Sequence, residues 1–246
     1  MNITATFEKL KTMKLSGFEN AYRTIYESGT NPSFTNDELI GHLIDAEYDD
    51  RYNKKLARLL KNACFRQQVT FNQIDFTAKR TLDKNLMLRL QTCDWIKKSQ
   101  DILITGPTGV GKSFISCALG FQVCLAEGKV LYTSTGKLLD KLLFAKADGT
   151  YLHELEKIAR MDLLILEDFG LKPFDAKTRT ILFDIVDDRN SRKSTIITSQ
   201  LPVKDWYECF GDPTLADALM DRLVNGSFRI EIVGESMRKN IKNQGA

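Results

Sequence analysis

One octapeptide constrains this chain more than anything else in it: Gly106-Pro107-Thr108-Gly109-Val110-Gly111-Lys112-Ser113. It fits G-x-x-x-x-G-K-[ST] completely. DILIT before it has the composition of a buried strand, and FISCALGFQVCLAEG after it reads as a helix ending at Gly128. Gly106, Gly109 and Gly111 leave no side chain in the way of phosphate oxygens approaching the backbone N–H groups. The following helix adds its positive N-terminal end. Lys112 is expected to neutralise the β- and γ-phosphates of ATP, and the Ser113 hydroxyl to ligate Mg²⁺.

The rest of the second half of the chain agrees with such a loop. Short apolar runs (DILITG, KVLYTS, LLILED, STIITS and FRIEIVG) alternate with helical patterns. That is the signature of an α/β fold with a central parallel sheet and crossover helices. Met161–Gly170 is MDLLILEDFG, a strand ending in Glu167 and Asp168. Carboxylates at the carboxyl end of such a strand stand beside the phosphate site. One is expected to hold Mg²⁺ and the other to orient the attacking water. Lys193–Pro202 is a further buried strand with the polar tip Thr198, Ser199 and Gln200, placed to meet the γ-phosphate or the water. Arg222 lies on a helical pattern, from which an arginine can reach a neighbouring subunit's γ-phosphate.

Residues 1–75 read as a small all-α domain, and 76–246 as the ATPase domain. A turn is expected at SGTNPSFTNDE, where Thr35 and Glu38 have the spacing of a capping box. The helix it opens runs through Leu39, Leu43, Ile44 and Ala46 and on through Leu56, Leu59, Leu60 and Ala63. Residues 51–66 hold six bases and no acid, and Arg51, Lys54, Lys55, Arg58 and Lys61 fall on one stripe opposite the leucines. That stripe is either a solvated face paired with the preceding acids or a surface for phosphates or an acidic partner. The polar stretch from Phe71 to Lys84 reads as a linker.

Composition removes other classes. Net charge is only +3, so any affinity for nucleic acid must come from the distribution of charge. The five cysteines form no C-x-x-C and there are two histidines, which disfavours a disulfide frame, a zinc knuckle and histidine-based catalysis. No apolar run approaches the ~20 residues of a membrane helix. The first residues lack a signal peptide's apolar core, so a cytoplasmic protein with no membrane partner is expected. No N-K-x-D follows the loop as in GTPases, no L-S-G-G-Q as in ABC ATPases, and no arginine-rich lid as in small-molecule kinases.

GPTGVGKS, LLILEDFG, TIITSQLP and MDRLVNGSFRIEIVGESMRK, in this order, resemble the AAA+ ATPases, and within them the IstB/DnaC group. The resemblance extends through FTAKRTLDKNLMLRLQTCDWI to the helical N-terminal region. It implies a transposition helper of the IstB type. Such a helper assembles with ATP as a homo-oligomer on duplex DNA, presents that DNA to a cognate transposase and hydrolyses ATP to regulate the assembly. A DnaC-like helicase loader acting on single-stranded DNA is the alternative on the same core. By resemblance, Gly106 to Ser113 bind nucleotide and Glu167 takes the metal side. Asp168 is then the catalytic acid, Gln200 the sensor-1 residue and Arg222 the arginine finger.

Two departures bear on rate. The usual acidic pair is Asp followed by Asp or Glu, whereas here Glu167 precedes Asp168; sensor-1 is more often Asn than Gln. Slow hydrolysis is expected, because the position of the attacking water is sensitive to such shifts. Only 24 residues follow Arg222, so no C-terminal helical lid is expected and a neighbouring subunit would complete the site. Lys137, Lys141 and Lys146, in a helix–Gly149–helix segment, are candidates to meet DNA phosphates. So are Lys172 and Lys177 after the acidic strand, and Lys54, Lys55 and Arg58 on the N-terminal helix.

Overall fold

A computed structural model describes residues 2–28 and 34–237. Part of the expected turn SGTNPSFTNDE, and Arg238 of the GESMRK ending, lie outside the described residues. The chain divides into two compact units, Met1–Arg58 and Leu59–Ala246.

The first unit is helical, with α1 (Ile3–Thr12), α2 (Ser16–Ser28) and most of α3 (Asn36–Ala63). The capping box at the start of α3 is formed: the Thr35 N–H donates to Glu38 Oε2 at 2.7 Å, and the Glu38 N–H to Thr35 Oγ1 at 3.3 Å. The Thr35 N–H and, at 2.9 Å, the Thr35 hydroxyl both donate to the Glu38 carboxyl and hold it below its usual range. Glu47 of α3, 8% exposed, accepts the Gly17 and Phe18 N–H groups at 2.9 and 3.1 Å and so caps the first turn of α2.

The second unit begins within α3, where the sequence reading divides the chain at 75. Residues 59–75 fall in the second unit: Ala63, Val69, Phe71 and Ile74 are buried, and Phe65 lies against Gly120. Then follow α4 (Lys84–Gln91), α5 (Asp94–Lys97), β1 (Ile102–Thr105), α6 (Lys112–Leu125), β2 (Val130–Ser134), α7 (Thr135–Asp148) and α8 (Tyr151–Ala159). The unit continues with β3 (Leu163–Phe169), α9 (Ala176–Arg189), β4 (Ser194–Ser199), α10 (Trp206–Phe210), α11 (Pro213–Val224) and β5 (Phe228–Glu231). The strands form one parallel sheet in the order β2-β3-β4-β1-β5. Ile102–Ile104, Leu163–Leu166 and Ile196–Ile197 are 0–1% exposed, as continuous apolar strands covered on both faces must be. Among the described residues no helix is long and apolar enough to cross a membrane.

Two local features set up the site. The ends of β1, β3 and β4 come together at the carboxyl edge, with Thr105 paired to Ser199. In β3 the register slips between Leu166 and Phe169, which pair with Ile197 and Ser199, so one extra residue is accommodated there. Asp168 absorbs the bulge with φ +56, a left-handed conformation that Asp tolerates better than most side chains.

Candidate active site

Gly106–Ser113 wraps from the end of β1 to the first turn of α6. The Gly106 N–H donates to Ser199 O at 3.2 Å, tying the loop to β4. Glycine is required here on two counts. At Gly106, φ is +146 and an added Cβ would lie 2.1 Å from the Ile232 carbonyl oxygen; at Gly111, φ is +99 and a Cβ would lie 2.4 Å from Arg80 Nη1. Lys112 is 8% exposed, and its ammonium donates to Gly106 O at 2.7 Å and Pro107 O at 2.9 Å.

The bulge in β3 separates the two acids. Glu167 is 3% exposed, whereas Asp168 is exposed and faces the cleft. The Glu167 carboxylate accepts the Ser113 hydroxyl on Oε2 and the Ser116 hydroxyl on Oε1, the latter at 2.6 Å. Thr135 Oγ1 donates to the Glu167 carbonyl oxygen at 2.9 Å. On the other wall, Thr108 Oγ1 donates to Gln200 Oε1 at 2.9 Å, joining the loop to the tip of β4.

One open cleft of about 610 Å³ is lined by Arg66, Gln67, Thr108, Gly109, Gly111, Lys112, Ser113, Phe114, Asp168, Gln200 and Met237, with Glu167 behind Ser113. The fit to a nucleotide triphosphate is chemical as well as spatial: a lysine, a helix N-terminus and a glycine loop meet a hydroxyl–carboxylate pair of hard oxygen donors. Gly106, Pro107 and Val110 do not line the cleft wall; they shape the loop behind it.

Several residues of this neighbourhood, Ser116, Arg80 and Met237 among them, were not singled out as site residues by the sequence reading. Ser116 sits one helical turn after Ser113, a spacing that could have flagged it. Arg80, inside the supposed linker, donates to the Val110 carbonyl at 2.8 Å and to the Asp75 carbonyl at 2.9 Å, with burial pulling its guanidinium pKa down. The Met237 N–H donates to Gly109 O at 2.9 Å, which brings the segment after β5 onto the loop. Sequence gives no signal for the last two, since each contact spans a long stretch of chain.

Arg222, in the last turn of α11, is not among the residues lining the cleft. Its Nε donates to Asp187 at 2.8 Å, its Nη1 to Ala218 O at 3.0 Å, and its guanidinium lies 5.0 Å from the Phe183 ring centre. The lysines proposed for DNA are exposed on α7, on the loop after β3 and on α9. Lys141 pairs with Glu154 at 2.5 Å, and Lys141 and Lys157 together hold the Glu154 carboxyl down to about 2. Lys146 stands over the Tyr151 ring at 4.4 Å. Lys137 lines a shallow hollow with Lys141 and Phe144, and Lys172 borders another beside Asp168. On α3, Lys54 pairs with Asp50 at 2.7 Å, Lys55 is half-buried and Arg58 is exposed.

Comparison with known proteins agrees with this geometry. The IstB-like ATP binding protein family matches residues 8–245. An insertion-sequence ATP-binding protein of Sinorhizobium fredii, y4pL, is 41% identical over 235 residues, covering 96% of both chains. The corresponding protein of insertion sequence IS21 from Pseudomonas aeruginosa is 27% identical, covering 96% of this chain and 89% of its own. Among solved structures, the replication initiator DnaA bound to AMPPCP and single-stranded DNA has a TM-score of 0.58 at 18% identity, over 74% of this chain and 55% of that one. The DnaC helicase loader has a TM-score of 0.56 at 16% identity, over 72% and 99%. The structural likenesses establish the AAA+ P-loop fold, and the family match goes further: this chain belongs to the IstB-like ATP-binding proteins and is an ATPase.

Proposed function

We propose that this ATPase assembles with ATP on duplex DNA as a homo-oligomer and delivers that DNA to the transposase of its insertion sequence. The observation that carries the reading is the match, over nearly the whole chain, to proteins named for insertion sequences. The small-unit helices and the ATPase core are both covered by it.

The cleft supplies the chemistry. Lys112 turns from its own loop carbonyls to the β- and γ-phosphates, and backbone N–H groups from Gly109 to Ser113 hold their oxygens. Ser113 and Glu167 would hold Mg²⁺, their present hydrogen bond being exchanged for the metal. Bound there, the ion neutralises charge on the phosphates. Asp168, exposed at the bulge, orients the attacking water, and Gln200 reaches the γ-phosphate from β4. Arg222 leaves Asp187 to enter the cleft of a neighbouring copy, so the site is complete only in the assembly. Lys137, Lys141, Lys146, Lys172 and Lys177, with Lys54, Lys55 and Arg58, are the bases offered to DNA phosphates.

The test is anisotropy of labelled duplex and single-stranded DNA of equal length, with ATP, ADP or no nucleotide. Tighter binding to duplex that requires ATP is the expected result. Preference for single strands, with or without ATP, would overturn the reading in favour of a helicase loader.

A further inference from the structure

The basic run 51–66 does not stay together in the folded chain. Arg51, Lys54, Lys55, Arg58 and Lys61 remain on α3, which ends at Ala63. Cys64 then takes φ +57, and this left-handed residue turns the backbone off the helix axis. Phe65 anchors the chain beyond that turn: an added Cβ at Gly120 would lie 2.6 Å from the Phe65 ring, and that ring meets Tyr132 edge-on with centroids 6.3 Å apart. The backbone N–H groups of Gln67 and Arg66 lie against the Cys117 thiol, whose pKa burial pushes up to about 11 and which these N–H groups pull back. Arg66 is thus a base on a backbone held against α6, apart from the stripe on α3.

Its exposed side chain lines the nucleotide cleft with Lys112, Ser113, Asp168 and Gln200. Among the described residues, no hydrogen bond or ion pair engages its guanidinium. Burial and then Glu167 push the Tyr132 phenol up; among the smaller charge effects Arg66 pulls it down and Asp168 adds to the rise. On the wall of a cleft that it shares with Lys112, Ser113 and Asp168, this unpaired guanidinium is available to the terminal phosphates of a triphosphate. Its planar fork suits phosphate oxygens, with which it forms bidentate pairs.

We propose that Arg66 is a second phosphate-binding cation of this cleft, acting within its own chain and on the terminal phosphates of ATP. The inference rests on the cleft being the ATP site and is independent of any role for DNA. It also gives the end of α3 a direct link to the nucleotide, because the residue that touches the phosphates lies just beyond the last turn of the helix.

The experiment compares affinities for ATP, ADP and AMP, by titration calorimetry, of the wild-type chain, Arg66→Ala, Arg66→Lys and Lys112→Ala. Arg66→Ala is expected to weaken ATP about tenfold, the loss of one charge-assisted contact. AMP affinity should change by less than about twofold, and Arg66→Lys should recover part of the loss. The melting temperature without nucleotide should match wild type, since the side chain is exposed. ATP affinity within about twofold of wild type in Arg66→Ala, while Lys112→Ala weakens it about 100-fold, would overturn the proposal. So would an equal loss for ATP and AMP, which places Arg66 away from the terminal phosphates. If Lys112→Ala itself binds ATP normally, the cleft is not the ATP site, a distinct failure.

Discussion

Lys112 and the lysines of α7 carry the same charge in opposite circumstances. Lys112 is 8% exposed and rests on two carbonyls of its own loop, whose glycines cannot become alanine without collision. Lys141 and Lys146 are exposed and already engaged, one with Glu154 and the other with the Tyr151 ring. Exposed pairs of this kind contribute about 0–1 kcal/mol and are readily exchanged for another anion. The difference teaches what each charge can do. Lys112 is set in backbone geometry that admits one kind of ligand, whereas bases on the surface, where they meet a phosphate chain, would act through summed charge that salt screens. Arg222 belongs with the surface group in the single chain and, on the function proposed above, with the cleft of a neighbouring copy.

That placement of Arg222 gives the largest expected effect. Arg222→Ala should lower DNA-stimulated turnover by roughly 10³-fold while leaving ATP affinity of the isolated chain unchanged. Mixing it with Lys112→Ala should restore activity, because a sound cleft then meets a sound arginine. No recovery on mixing would place Arg222 outside the neighbour's site. Lys112→Ala should weaken ATP about 100-fold, as should Gly111→Ala, whose new Cβ meets Arg80. Near-normal nucleotide binding by either, measured by calorimetry, would erase the distinction between buried and surface lysines. A smaller change should come from reversing the acids. The double substitution Glu167→Asp and Asp168→Glu restores the commoner order and should raise steady-state turnover about tenfold if water placement limits the rate. Equal or slower turnover would put the limit elsewhere. Neutralising Lys54, Lys55 and Arg58 together should cost only a few-fold in duplex affinity at moderate salt and reduce the salt slope by at most about three. An unchanged slope removes α3 from the DNA surface.

Legibility in the sequence divides along the same line. The glycine loop, the buried strands, the capping box at Thr35 and the helix–Gly149–helix of α7 and α8 each depend on neighbours a few residues away, so local pattern carries them. The acids Glu167 and Asp168 were legible as a pair, but which faces inward depends on the register of β4 against β3, which no single strand contains. Arg66 counts in the sequence only as the last base of the run 51–66; the left-handed Cys64 that parts it from α3 has no local signal. Arg80 and Met237 reach the loop from opposite ends of the second unit, and only the fold brings them together. The stretch 71–84 looked like a linker because polar residues outnumber Phe71 and Ile74, the two that anchor it.

The central claim is that ATP in this cleft drives copies of the chain together on duplex DNA. Its most direct test is the particle mass on a defined duplex, by light scattering or mass photometry, with ATP, with ADP and without nucleotide. Large particles formed only with ATP and duplex together, and lost in Lys112→Ala, are predicted. A single chain on DNA regardless of nucleotide, or assemblies indifferent to duplex, would contradict the account.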